Sequence, residues 1–257
     1  MSDTLLIERH ESVAILTLNR PQQRNALSTE LRDAISSTLA AAAADDSISV
    51  AVITGNGPVF CAGFDLKEFD KTPMQEIFAG ESSVRYHQAL RTFPKPLIAA
   101  VNGAAVGIGM TMILPFDVIV ASDKAKFGML FIKVGLVPEL ASTHFLVQRM
   151  GFGRASEMCL SGRLYPASEA YQGGLVDVLT TADDLVAKAF AIADGIAANP
   201  DPQLRMTKQL LTENGSATDL SAVQERESVL LRECWKSAEH KEAVSAFLEK
   251  RPPRFRA

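Results

Sequence analysis

The chain has 257 residues, 47% hydrophobic and 22% charged, enough to bury a sizeable core as one large domain or one domain with an appendage. A net charge of −4 disfavours a general role on nucleic acid or an anionic membrane surface, while a local basic patch stays compatible with a phosphate-bearing ligand. Three widely spaced cysteines, Cys61, Cys159 and Cys234, with no C-x-x-C, suit reduced thiols and a cytoplasmic protein, and no apolar run has the length of a membrane span.

The N-terminus, "MSDTLLIERHE", carries Asp3, Glu8 and Glu11 and reads as neither a secretory signal nor a transit peptide; the terminal "FRA" is not a peroxisomal address. "TLLIERH" and "SVAILTLN" are predicted strands joined at Glu11-Ser12, the second apolar on both faces. A helix capped by Ser28 follows, with Leu31, Ile35 and Leu39 at a spacing of four. "ISVAVITG" is a strand closed by the glycines of "GNGPVFCAGFD". A polar stretch around residues 66–80 precedes a helix through Tyr86 and Leu90. "KPLIAAVNG" and "DVIVAS" are further strands, so the core alternates β and α. From Glu139 onward helical periodicity dominates: Glu139–Met150, Arg154–Leu160, Ala167–Gln172, Asp183–Ala198, Asp201–Glu213, Asp219–Trp235 and Ala238–Glu249. The predicted organisation is an α/β core over residues 1–198 and a helical region over 199–257.

Two loops, "VFCAGFDL" (Val59–Leu66) and "VNGAAVGIGMT" (Val101–Thr111), each follow a strand and lead towards a helix. Such loops leave backbone N–H groups unpaired, and two of them aimed at one point make an oxyanion hole. The spacing of Gly103, Gly107 and Gly109 is not that of a dinucleotide fingerprint. Further on, "FIKVGLVPELASTHFLV" (Phe131–Val147) holds one carboxylate, Glu139, among apolar groups. An unpaired carboxylate there either reaches the surface, serves a helix start, or keeps a raised pKa for chemistry. The histidines, His10, His87, His144 and His240, lack metal-ligand spacing, so no metal is expected. Cys61 has no histidine partner in sequence and is expected to be a small buried residue, and Trp235 and Phe247 are expected to pack in the helical tail.

"NRPQQRNALS", "VFCAGFDL", "PLIAAVNGAAVGIGMTMILPFDVIVAS", "AKFG", "GLVPELAS" and "FLEKRPPRF", in this order, resemble the crotonase, or enoyl-CoA hydratase/isomerase, superfamily along nearly the whole chain. The resemblance implies a spiral core of repeated strand-strand-helix units, a C-terminal helical region that packs trimers or hexamers, and an acyl-CoA thioester as substrate with no other cofactor. It implies oxyanion donors at the backbone of Phe64 and of Ile108, where many members have glycine, so that the isoleucine side chain is expected to narrow the pocket. For CoA it implies Arg24 and Lys67 as cations, Ala26 and Ala62 as backbone contacts, and Asp65, Leu66, Gly107 and Phe131 as further site residues. Asp65 itself reads as a helix cap. The tail cations Lys250, Arg251, Arg254 and Arg256 are further candidates for phosphate.

The two glutamates of family hydratases fall on Thr111 and Phe131, neither of which moves a proton as a carboxylate does. Glu139 falls where the Δ3,Δ2-enoyl-CoA isomerase branch places its acid, at a proline-led turn. Phe131, Leu136, Val137 and Leu140 are expected to raise its pKa and a helix N-terminus to lower it. The implied activity is a shift of a double bond from 3-enoyl-CoA to 2-enoyl-CoA with Glu139 as sole acid and base. The alternatives are a hydratase or another thioester-enolate enzyme with atypical groups, and a non-catalytic acyl-CoA-binding protein. The segment Lys67 to Arg85 is expected to shape the acyl pocket.

Overall fold

A computed structural model describes residues 3–68 and 80–255. The expected polar stretch lies largely outside them, as does Arg256.

The amino-terminal strands β1 (Leu5–His10) and β2 (Val13–Leu18) form an antiparallel hairpin. Helix α1 (Thr29–Ala44) follows its Ser28 cap, whose hydroxyl accepts from the Leu31 N–H at 3.3 Å. Strands β3 (Val50–Gly55), β5 (Leu97–Val101), β7 (Val118–Ser122) and β10 (Val178–Thr180) extend the hairpin into a six-stranded sheet ordered β1-β2-β3-β5-β7-β10, parallel beyond β2. A second sheet, ordered β4-β6-β8-β9, takes β4 (Val59–Cys61), β6 (Ala104–Val106), β8 (Lys126–Gly128) and β9 (Tyr165–Pro166). Each long strand is thus followed by a short one in the other sheet and then by helical structure: β3 and β4 by α2 (Glu81–Arg91), β5 and β6 by α3 (Ile108–Thr111), β7 and β8 by a helical turn at Leu130–Val134. This is the expected spiral of strand-strand-helix units.

Alternation along the parallel strands divides the apolar side chains between two cores. Leu16, Ile53, Ala99 and Ile119 face the larger one, which runs between the sheets and under α1 and α2. Ile15, Val52, Ile98 and Val120 face α7 (Leu185–Ala197). The remaining helices are α4 (Ser142–Met150), α5 (Phe152–Ser161), α6 (Ala167–Gln172), α8 (Asp201–Asn214), α9 (Leu220–Cys234) and α10 (Ala238–Glu249). Buried Lys95 donates to the carbonyls of Ala42 and Asp45 at the end of α1, and Lys208 of α8 bonds Asp117 at 2.8 Å and the Lys95 carbonyl at 2.7 Å. These bonds seat α8 on the sheet.

Two expectations change. The helix expected from Glu139 starts at Ser142, because Leu140 and Ala141 turn the chain through the left-handed region at φ 58° and 55°. Trp235 and Phe247 do not pack within the chain; they stand 57% and 82% exposed, on the region the resemblance assigns to subunit contacts. β1 is exposed along most of its length. Among the described residues no helix is long and apolar enough to cross a membrane.

Candidate active site

Parallel pairing of β4 with β6 sets their exits side by side, and the two glycine loops leave the second sheet together. Gly63 and Gly107 adopt φ of 103° and 53°, and a Cβ on Gly107 would stand 4.0 Å from the Gly63 Cα. Gly109 has no room for a side chain at all: its Cβ would fall 2.5 Å from the Cys61 carbonyl. Only glycines allow the loops to approach this closely.

The first loop is fixed by a parallel bridge between Leu27 and Phe64. Leu27 N–H donates to the Gly63 carbonyl at 2.8 Å, and Asp65 N–H donates to the Leu27 carbonyl at 3.1 Å. A residue between two such bonds directs its own N–H away from the bridging strand. Phe64 therefore turns its amide towards the side on which the second loop lies. There Gly107 precedes α3, and Ile108 N–H, the first of that helix, has no acceptor within it. The Ile108 side chain is buried in the main core.

Thr111 lies one turn along α3 from Ile108, roughly 4.5 Å along the axis. It is fully buried, and its hydroxyl donates to Glu139 Oε1 at 2.6 Å. The carboxylate is thereby tied to the helix whose first amide is Ile108. Burial raises its pKa from an ordinary 4.5 to about 7, against the lowering effect of the Thr111 hydrogen bond. Among the described residues Oε2 accepts no hydrogen bond, which leaves one oxygen for a reacting proton.

The surroundings of Glu139 differ from the expected ones. Leu136 and Val137 are 40% and 80% exposed and do not enclose it. Phe131 and Leu140 are half-buried against the main core, and buried Tyr86 lies near enough for the carboxylate to raise its pKa. Because Glu139 precedes α4, it does not sit on a helix N-terminus. Its backbone carbonyl accepts from Ser142 N–H at 3.0 Å.

The bridge also gathers the expected CoA-facing residues on one rim. Ala62 N–H donates to the Arg24 carbonyl at 3.0 Å, and the exposed side chains of Arg24 and Lys67 make no hydrogen bond among the described residues. Leu66 is 71% exposed beside them. Asp65 is buried: it accepts from the Lys67 N–H at 3.2 Å, capping the turn Leu66–Glu68, and from Arg20 Nη2 at 2.7 Å. Arg20 also donates to the Ala26 carbonyl, and Asn25, fully buried at φ 53°, donates to the carbonyls of Asn56 and Val59. Sequence reading passed over Arg20, Asn25 and the bond from Thr111, since none shows as a pattern before the chain is folded. Of the tail cations, Arg251 pairs with Glu242 and Glu249, each at 2.6 Å. Cys61 is buried, and its thiol pKa is pushed up to about 11, so it is no nucleophile. Among the described residues no group of three or more potential metal ligands gathers.

A family model described as enoyl-CoA hydratase/isomerase matches residues 8–257. The chain is 38% identical to the 2,3-dehydroadipyl-CoA hydratase of Escherichia coli K12 over 98% of both chains. It is 34% identical to the 1,2-epoxyphenylacetyl-CoA isomerase of the same organism over 99% of both. The solved structure of an enoyl-CoA hydratase/carnithine racemase from Magnetospirillum magneticum AMB-1, described there as putative, superposes over 100% of both chains, with a TM-score of 0.93 at 34% identity.

Proposed function

Given that the chain belongs to the enoyl-CoA hydratase/isomerase family, we propose that it shifts the double bond of a 3-enoyl-CoA into conjugation with the thioester, with Glu139 as its only acid and base. The observation that carries this reading is the Thr111–Glu139 hydrogen bond of 2.6 Å, one helical turn from the Ile108 amide.

The Phe64 and Ile108 amides would hold the thioester oxygen. Glu139 takes a proton from the α carbon, the C–H pair moves into the carbonyl, and the enolate oxygen gains charge that the two amides stabilise. Losing one such donor typically costs about 3–4 kcal/mol in the transition state. The dienolate then takes the same proton at the γ carbon, which moves the double bond from C3–C4 to C2–C3 and returns Glu139 to its carboxylate. One acid suffices because it serves in turn as base and acid. A pKa of about 7 suits both roles near neutrality. Addition of water would call on a second group to activate it, and Thr111 and Phe131 occupy the positions where hydratases of the family carry their carboxylates. Arg24 and Lys67 would meet the CoA phosphates as charged, unengaged side chains on the rim.

The test is an absorbance assay of conjugation with a 3-enoyl-CoA, run beside a 2-enoyl-CoA watched for the 3-hydroxy product. Conjugation that vanishes in Glu139→Gln supports the proposal. Hydration of the 2-enoyl substrate without conjugation of the other rejects it for the second reading, a hydratase, which the 38% identity to a relative of that name favours.

A further inference from the structure

Behind Thr111 the molecule holds a cavity of about 320 Å³ between α2, α3 and the turn leading into α4. That is roughly ten water volumes, at the small end of ligand sites. Its inner wall is Thr111, the residue bonded to Glu139, together with Met112 and Leu140. Thr111 thus stands between the Glu139 carboxylate and the cavity, which places the cavity next to the reacting position on the α2 side. Its polar groups come from one face of α2, where His87, Gln88 and Arg91 recur at helical spacing.

Among the described residues the charge in this cavity has one sign, and no carboxylate lines it. Of the two arginines in α2, Arg85 pairs with Glu81 at 3.0 Å and with Asp33 at 3.4 Å. Arg91 forms no hydrogen bond or ion pair among the described residues. His87 contacts Ser83 Oγ at 3.2 Å, and burial followed by the Arg32 and Arg91 guanidiniums holds its pKa below the usual value, with no acid among the described residues acting against them. Arg32 lies deeper, with Asp33 and Glu68 nearby to offset its charge. Arg91 is left as the cation at the cavity's outer end.

We propose that this cavity is a distal acyl subsite in which Arg91, with Gln88 and His87, selects short acyl groups that end in a carboxylate. The apolar wall of Met112, Leu140 and Phe145 takes the methylenes, and the far end of the chain meets a guanidinium built for a carboxylate. A methyl-ended chain of equal length would leave Arg91 in water and gain nothing from it. The α2 C-terminus alone would favour a cation at position 91 through the helix dipole. That role, however, predicts no dependence of acyl choice on this residue.

This selectivity rests on the acyl-CoA reading above, and the experiment separates the two. Calorimetric binding of hexanoyl-CoA and of adipoyl-CoA, which differ only in the terminal group and undergo no isomerisation, is measured for the wild type and for Arg91→Met. The wild type is expected to bind adipoyl-CoA roughly tenfold more tightly, and the substitution to abolish that ratio. Equal affinities in the wild type, or a ratio unchanged in Arg91→Met, overturn the proposal. Retention of the ratio in a protein that conjugates no 3-enoyl-CoA would sink the isomerase and leave the subsite standing. If neither ligand binds, the acyl-CoA reading fails and the subsite with it.

Discussion

Replacing Glu139 by glutamine should abolish turnover and stabilise the fold, with a stability gain that depends on pH. The folded pKa of about 7 lies above the ordinary 4.5, so the native state prefers the protonated acid. Stability from this group is fully present below pH 4.5 and is lost as pH rises through 7. Linkage with these two values gives a penalty of about 1 kcal/mol at pH 5.5 and about 3 kcal/mol at pH 8. Glutamine keeps an oxygen for the Thr111 hydroxyl and cannot ionise, so it escapes the penalty at both. The stability gap between Glu139→Gln and wild type should widen by about 2 kcal/mol between the two conditions. For a chain of this size that is roughly 4–8 °C in Tm, read by thermal unfolding at one protein concentration. Turnover of a 3-enoyl-CoA should fall at least about a thousandfold, as expected for loss of the sole proton-transfer group. A gap of equal size at both pH values would refute the reasoning, because it would mean that the carboxylate is as well solvated folded as unfolded.

Thr111→Val removes the hydrogen bond that lowers the Glu139 pKa; the acid limb of the kcat/KM profile should move to higher pH and return in Thr111→Ser. A Cβ at Gly109 would meet the Cys61 carbonyl at 2.5 Å, so Gly109→Ala should cost about 2–3 kcal/mol in denaturant unfolding and displace the Ile108 donor. Ala141→Gly, at φ 55° and exposed, should raise stability by about 1 kcal/mol by relieving left-handed strain, read in the same assay. Trp235, the single tryptophan, is 57% exposed in one chain; if α9 and α10 pack subunits together, its emission should shift to the red on dilution in step with loss of the trimer in sedimentation.

Strands β2, β3, β5 and β7 of the first sheet were legible because each is a run of five or six residues that is apolar apart from a threonine, a serine or a closing glycine. The second sheet was not. β4, β6 and β8 have three residues each, too few to show a period, and their pairing depends on glycines that sequence reading assigned to loops. Helices α6 and α10 were placed to the residue, because each begins beside a turn or capping residue, Pro166 or Ser237. The start of α4 was placed three residues early, since Glu139, Leu140 and Ala141 continue an apolar helical pattern and nothing in the sequence marks two non-glycine residues as left-handed. Glu139 itself was found as an anomaly, a lone acid in apolar sequence. What buries it was misjudged, because sequence neighbours are not spatial neighbours: Leu136 and Val137 face solvent, and Thr111, twenty-eight positions away, holds the carboxylate.

The same few residues therefore carry two costs that folding alone would avoid. The left-handed pair at Leu140 and Ala141 bends the chain sharply, and that bend delivers the preceding carboxylate to Thr111 instead of leaving it to cap α4. An ordinary helix start would expose Glu139 to solvent and to the helix dipole, both of which lower a carboxylate pKa and weaken the base. Strain in the backbone and burial of the acid are two parts of one arrangement. A chain relieved of the first by glycine at position 141 should keep the second only as long as the Thr111 bond holds the side chain in place.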